Sequence, residues 1–203
     1  MRGIVPADLN NEVVSAYALA FHLFLPEGSV ILGRDTRSSG LELTSTITEQ
    51  LIYTGRNVLD CGICTTPTLQ FVVEDTDAVG GIMVTASHNP AEWNGLKFVR
   101  GDSTFFHSGE CKRLFELVDA NTELPESEEP GIIWPEQNAI QKHVIACASL
   151  KCIDLNRIQN RHFKIVIDAV NGAGAHALPA MLESLGCEVI ELNCEPNGEF
   201  TRG

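Results

Sequence analysis

The sequence predicts an α/β fold in which a mainly parallel sheet is covered by helices, with a first domain complete and a second, similar domain begun. Short apolar runs that can form buried strands alternate with stretches of helical periodicity along most of the 203 residues. Strands separated by helical stretches of this length are typical of βαβ units, whose strands pair in parallel. The pattern restarts after Cys152, so we expect two domains, over residues 1–150 and 151–203.

Helix and strand positions in the first domain follow from local signals. Apolar residues recur with helical spacing from Asn11 until Pro26 ends the pattern, which predicts the first helix. Ser39 and Glu42 have the spacing of a capping box, and Thr66 followed by Pro67 predicts another helix start. The predicted strands cover residues 29–32, 57–60 and 78–84, and the predicted helices cover 11–25, 39–55, 66–73, 105–118 and 137–150. The acidic stretch 121–130 is expected to be an exposed loop.

The second domain is represented by one βαβ unit. Strands are predicted at 164–168 and 188–192, with a turn at 171–174 and a helix over 175–185 that Gly186 closes. One such unit cannot bury both faces of its strands, so we expect the chain to be a fragment of a longer protein.

Composition limits the class of partner. The chain has 27 acidic and 14 basic residues and a net charge of -13, which disfavours nucleic acid and anionic membranes as partners. Neither an apolar run long enough to span a membrane nor a signal-peptide core is present, so we expect a soluble cytoplasmic protein. The seven scattered cysteines are expected to be free thiols, with Cys61 and Cys64 in a small apolar turn.

The segment from Thr85 to Lys97 carries the strongest functional signal. It follows a predicted buried strand, and loops at the carboxyl ends of parallel strands are where ligands bind in such sheets. Pro90 disfavours the helical region for Asn89, so the loop around Ser87 and His88 is expected to be extended and stiff. It is expected to return through an Asn-Gly turn.

These thirteen residues resemble the active-site serine loop of the α-D-phosphohexomutases, T-x-S-H-N-P followed by N-G-x-K. Three other segments resemble family motifs in the same order. They are Arg2-Gly3-Ile4-Val5-Pro6, the G-R-D-x-R-x-S-G loop from Gly33 to Gly40, and the start of the second domain from Lys164 to Gly174.

The resemblance implies phosphoryl exchange between a serine and a hexose phosphate. Ser87 would carry the phosphoryl group, Lys97 would transfer the proton of the sugar hydroxyl, and Arg2 and His88 would steady phosphate and substrate. Arg34, Arg37 and Asn89 would bind substrate or phosphate. The expected ligands are hexose phosphate and hexose 1,6-bisphosphate, of mannose or glucose rather than glucosamine, because the serine loop looks more like that branch.

The resemblance also implies a magnesium cofactor. Ser87 would take part in the metal site through its phosphate, and the remaining metal ligands are expected beyond Gly203, with the sugar-recognition loop and a C-terminal phosphate-binding domain. Positioned cations and a metal do most of the catalytic work in phosphoryl transfer.

Two alternatives remain open from the residues alone. Gly172 and Gly174 after a strand, with Glu191 at the end of the next strand, satisfy a loose dinucleotide fingerprint that would indicate an oxidoreductase. The chain could also be a non-catalytic interaction module, although such a module would not need an intact serine loop.

Overall fold

A computed structural model describes residues 1–201, which form two α/β units joined by a helix. The strands are β1 Arg2–Ile4, β2 Val30–Arg34, β3 Val58–Ile63, β4 Gly80–Val84, β5 Trp93–Arg100, β6 Ile133–Pro135, β7 Lys164–Asp168 and β8 Glu188–Leu192. The helices are α1 Asn11–Phe24, α2 Gly40–Tyr53, α3 Thr66–Glu74, α4 Ser108–Asp119, α5 Ala139–Ala148, α6 Leu155–Gln159 and α7 Gly174–Ser184.

The first unit is a six-stranded sheet in the order β1-β5-β4-β2-β3-β6. Strand β2 pairs in parallel with β3 and β4, and β3 pairs in parallel with β6. Strand β5 runs antiparallel to both β4 and β1. The mainly parallel α/β fold expected from the sequence is therefore confirmed. The carboxyl ends of β2, β3 and β4 meet at one edge of the sheet.

Alternate residues of the central strands fill two cores, one on each face of the sheet. Val30 and Leu32 join the core beneath α1, α2 and α4, while Ile31 between them joins the core beneath α3. A cluster of aromatic rings from α1, β5 and the segment before α4 packs in the first core. Because helices cover both faces of the sheet, the central strands have continuous apolar sequences. These apolar runs are the pattern that identified them in the sequence.

Three local predictions in the first unit are wrong. The capping box does not form, since Asn94 donates to Ser39 Oγ and Asn11 donates to Glu42 Oε1. Asn94 and Gly95 do not form a turn but lie inside β5, where the buried Asn94 side chain accepts a hydrogen bond from Gly95 N. The cap of α3 is Thr65 rather than Thr66.

The second unit consists of β7, α7 and β8, and its two strands match the predicted bounds. They pair in parallel with α7 packed against β8. Helix α5 packs against both α3 and α7, so it joins the two units. The domain boundary after residue 150 stays a prediction.

Some elements were not predicted. Strands β1 and β6 and helix α6 are each five residues or shorter, too short for periodicity to be recognised. Residues 121–130 form an exposed segment without helix or strand, as expected. Within residues 1–201, no helix combines the length and apolar character required to cross a lipid bilayer.

Arg56 fixes the end of the sheet opposite the serine segment. Its guanidinium donates to the carbonyl oxygens of His22, Pro26 and Gly28 at 2.6–2.9 Å and to His22 Nδ1 at 3.2 Å. The Arg56 side chain that makes these bonds is itself buried. Arg56 therefore holds the chain between α1 and β2 against the start of β3.

We expect Arg56→Met to lower the free energy of unfolding by about 2–4 kcal/mol, because it removes four hydrogen bonds donated by a charged, buried guanidinium. Urea denaturation followed by circular dichroism measures the change. Arg113→Met is the matched control, since Arg113 is exposed on α4 and stacks only on Phe24. A loss from Arg56→Met no larger than that from the control would contradict the assigned role.

Candidate active site

The serine loop, residues 85–92, connects β4 to β5 at the carboxyl edge of the sheet. It is a tight turn rather than the extended segment expected from Pro90: Asn89 N donates to Ala86 O at 3.2 Å, and Ser87 has a φ of 60°. A non-glycine residue adopts this left-handed conformation only at an energetic cost. The loop therefore needs interactions from elsewhere in the fold to hold it.

Asp35 and Thr85 supply one set of these interactions. Thr85 Oγ1 donates to Asp35 Oδ2 at 2.6 Å and accepts from Ser87 N at 3.0 Å. The Asp35 carboxylate is nearly buried and lies directly after β2, with its backbone N–H bonded to Val84 O. The backbone of Ser87 is thereby tied through one hydroxyl to a buried carboxylate on the neighbouring strand end.

Arg37 supplies the second set, and its role differs from the predicted one. Its Nε donates to Asp35 Oδ2 at 3.1 Å, and its two terminal nitrogens donate to four main-chain carbonyl oxygens at 2.5–3.1 Å. The four carbonyls belong to Ser87, Asn89, Pro90 and Trp93. All five guanidinium N–H donors are used and the side chain is fully buried, so the prediction that Arg37 binds phosphate is wrong. Arg37 instead fixes the path of the serine loop.

The side chains of Ser87 and His88 are exposed at the tip of this loop. His88 Nδ1 lies 3.5 Å from Ser87 Oγ, which is too long for a strong hydrogen bond. The hydroxyl is thus accessible to a ligand and carries no strong partner of its own.

Arg2 and Asn89 are brought together although 87 residues separate them. Arg2 lies on the edge strand β1, opposite Gly95 of β5, and donates to Asn89 Oδ1 at 2.9 Å. The exposed Arg2 guanidinium retains donors for an anionic ligand beside the loop. The structure therefore brings Arg2 to the serine loop, and the binding of phosphate or substrate by Arg2 and Asn89 stays a prediction.

Lys97 lies on β5 opposite Met83 of β4, with its Nζ 5.8 Å from the centroid of the Phe105 ring. Burial lowers the pKa of the Lys97 ammonium, the nearby Arg2 guanidinium lowers it further, and the Asp35 carboxylate opposes both effects. Its side chain lines a small pocket of about 280 Å³ beside Phe105. A lowered pKa suits an amine that must lose and regain a proton.

A cleft of about 360 Å³ lies between the two units and contains the exposed serine. Residues from the carboxyl ends of β2, β3, β4 and β7 line it. They are Asp35, Cys64, Thr65, Thr66, Met83, Thr85, Ser87, His88, Asn89, Val170, Gly172, Ala173 and Phe200. Four predicted site residues do not line the cleft, namely Arg2, Arg34, Arg37 and Lys97. Arg34 is half-buried at the end of β2 and donates to Asp35 O at 3.2 Å.

Sequence reasoning missed the contribution of β3 and of the second unit to this cleft. Thr65 and Thr66 follow β3 at the start of α3, so the strand-end rule that singled out the serine segment would also have found them. No comparable local signal marked Phe200. Its place in the cleft depends on how the second unit packs against the first.

Within residues 1–201, no three histidine, cysteine, aspartate or glutamate side chains lie close enough to hold a metal ion. Cys61 and Cys64, both free thiols, lie side by side at the end of β3. A hydrogen bond with Cys64, together with burial, raises the pKa of the Cys61 thiol, which keeps it protonated.

Comparisons with known proteins agree with this geometry. Residues 1–124 match the family model for phosphoglucomutase/phosphomannomutase α/β/α domain I, and residues 141–203 match the model for domain II. A phosphoglucomutase/phosphomannomutase from Thermococcus kodakarensis is 34% identical over 98% of this chain and 44% of its own length. A phosphoglucosamine/phosphogalactosamine mutase from Sulfurisphaera tokodaii is 33% identical over 95% of this chain and 43% of its own length.

A solved structure of a phosphoglucomutase/phosphomannomutase family protein from Burkholderia thailandensis is also similar. It has a TM-score of 0.79 and 25% identity, covering 100% of this chain and 44% of that one. The chain thus spans less than half the length of the relatives it matches. Since both α/β units match consecutive domains of one family, the dinucleotide interpretation of Gly172 and Gly174 has no remaining support. The chain belongs to the phosphoglucomutase/phosphomannomutase family of α-D-phosphohexomutases.

Proposed function

We propose that this chain carries the phosphoserine half of an intramolecular phosphotransferase that interconverts hexose 1-phosphate and hexose 6-phosphate. The observation that carries the proposal is the position of Ser87. Its backbone is fixed by Arg37, Asp35 and Thr85, while its hydroxyl is exposed in the cleft between the two units. A rigid backbone with an accessible oxygen is what a residue that repeatedly gains and loses a phosphoryl group requires.

In the proposed reaction, phosphorylated Ser87 donates its phosphoryl group to a free hydroxyl of a hexose monophosphate. The bond between phosphorus and Ser87 Oγ breaks as the bond to the sugar oxygen forms, the sugar hydroxyl loses its proton, and Ser87 Oγ gains one. The product is a hexose 1,6-bisphosphate. After the sugar turns over in the cleft, its other phosphate returns to Ser87 by the reverse step.

Lys97 is our candidate for the proton of the sugar hydroxyl. Its lowered pKa makes the neutral amine accessible, and phosphate binding near Arg2 would bring substrate to the same edge of the sheet. This role requires the sugar to reach beyond the cleft towards β5, because Lys97 lines a different pocket.

Arg2, His88, Asn89 and Arg34 are proposed to steady phosphate and substrate. Arg2 and Asn89 form one contact next to the serine, and His88 stands beside the Ser87 hydroxyl. Arg34 lies further from the hydroxyl and would meet only a phosphate at the rim. Against a net charge of -13, these cations supply the local attraction that an anionic ligand needs.

Magnesium is proposed as the cofactor, and it would neutralise charge on the phosphoryl oxygens when bound. The described residues do not form its site, because no cluster of three suitable ligands is present among them. We propose that Ser87 contributes through its phosphate, and that the other ligands belong to the part of its relatives' length that this chain does not span. The described residues therefore support no reaction step through the metal.

The substrate class is proposed as hexose phosphates of mannose or glucose. Relatives of nearly equal identity act, by their names, on glucose and mannose phosphates or on glucosamine and galactosamine phosphates. Turnover of the longer protein with glucose, mannose and glucosamine phosphates would decide between these sugars. We further propose that it works in the cytoplasm.

We expect Ser87 to be the residue that becomes phosphorylated in the longer protein. Phosphopeptide mass spectrometry after incubation with hexose 1,6-bisphosphate should place the label on Ser87 and should find none in Ser87→Ala. Ser103→Ala is the matched control, because Ser103 has the same left-handed backbone, with a φ of 61°, but lies outside the cleft. Label on Ser38, Ser39 or Ser103 instead would contradict the assignment.

We expect Lys97→Met in the longer protein to lower turnover by about two to four orders of magnitude while the fold is retained, which is the usual range for a general acid or base. Lys112→Met is the control, since Lys112 is exposed on α4 and pairs only with Glu116 at 3.9 Å. Turnover of Lys97→Met within a few fold of the wild type would return Lys97 to a structural role.

The 203-residue chain alone should fold but should not turn over substrate. Its first unit closes two cores without help, so calorimetry should record a cooperative thermal transition. Coupled assays with magnesium should detect no interconversion of hexose 1- and 6-phosphates, because groups that orient the sugar and hold the metal are lacking. Robust mutase activity of the bare chain would show that the proposed active site is misplaced.

A further inference from the structure

Phe200 stacks on one face of the Arg37 guanidinium. The edges of the guanidinium are occupied, since its five N–H groups donate to Asp35 and to four carbonyls around the serine loop. Its flat face can still accept an aromatic ring, and the central carbon of Arg37 lies 4.9 Å from the centroid of Phe200. Ring and hydrogen bonds together leave the Arg37 side chain with no exposed surface.

Asn171 holds the segment that carries Phe200 against the first unit. Its carbonyl oxygen accepts from Thr36 Oγ1 at 2.9 Å and from Gly198 N at 3.2 Å, and its side chain donates to Glu199 O at 3.0 Å. Gly198 has a φ of 75°, and a Cβ there would overlap the carbonyl oxygen of Thr36. The approach of this segment to the loop after β2 thus requires glycine at this position.

We infer that Phe200 is a positioning residue for Ser87 that acts through Arg37. The ring keeps water away from the guanidinium, and hydrogen bonds shielded from water are stronger than exposed ones. Four of those bonds end on the backbone that holds Ser87, so shielding Arg37 stabilises the left-handed turn at the serine. Any effect of Phe200 on phosphoryl transfer rests on the proposed function, whereas its effect on the order of the serine loop does not.

A coupling between the two units follows from this arrangement. Phe200 belongs to the second unit, whereas Arg37 and the serine loop belong to the first. Movement of residues 195–200 away from Thr36 would expose one face of Arg37 to water. The order of the serine loop therefore depends on the docking of the second unit.

Amide hydrogen exchange in the 203-residue chain tests the inference. Ser87 N and Asn89 N are hydrogen-bonded within the turn, so their exchange reports its opening. Phe200→Leu keeps an apolar side chain but removes the ring, and we expect it to speed exchange at both amides by about tenfold. Phe200→Tyr keeps the ring and should restore exchange to within about twofold of the wild type, which a role in apolar packing alone would not predict.

Phe163→Leu is the matched control, because Phe163 also stacks on an arginine, Arg161 at 5.6 Å, but lies far along the chain from the serine loop. It should leave exchange at Ser87 and Asn89 unchanged. In the wild type, nuclear Overhauser contacts should be seen between the Phe200 ring and the Arg37 side chain. Because this measurement needs no variant, the absence of these contacts would overturn the inference even if a variant unfolds. Unchanged exchange in a folded Phe200→Leu variant would also overturn it, whereas a failure of Ser87 to accept phosphate would count only against the proposed function.

Discussion

The buried guanidinium of Arg37 donates five hydrogen bonds, one to Asp35 and four to carbonyl oxygens of the serine loop and the first residue of β5. Hydrogen bonds from a charged donor are worth roughly 1.5–3 kcal/mol each, so the loop has few alternative paths once Arg37 is in place. Asp35 balances the charge of Arg37 and, through Thr85, holds the amide of Ser87. The backbone conformation of Ser87 is thus set by a buried ion pair, and its side chain is left free.

This separation of structural from exposed groups organises the site. The cations that remain accessible near the serine, Arg2 and the partly buried Lys97, come from the antiparallel strands β1 and β5 rather than from the parallel core. The cleft wall opposite them comes from β3 and from the second unit. The groups proposed to bind ligand therefore come from four segments that are far apart in the sequence.

Local sequence signals predicted helices and strands well where the residues that carry the signal interact with residues close to them in the sequence. Strands β7 and β8 were predicted to the residue, because each is an apolar run that ends at a turn. The capping box at Ser39 failed because long-range partners, Asn94 and Asn11, take the polar groups of Ser39 and Glu42. The turn at Asn94 failed because Asn94 and Gly95 lie in β5 and pair with β1, more than ninety residues away. Arg37 was assigned to phosphate from the resemblance of residues 33–40 to a family motif. The sequence does not show that carbonyl oxygens more than fifty residues away occupy its guanidinium.

Nuclear magnetic resonance of the Arg37 guanidinium tests the central claim most directly. If Arg37 is a buried structural group, its side-chain N–H resonances should exchange slowly with water, because all five donors are bonded and shielded. Titration with inorganic phosphate should leave them in place, while resonances of the exposed Arg2 guanidinium shift. Fast exchange of the Arg37 N–H groups, or a shift at Arg37 on addition of phosphate, would contradict the account.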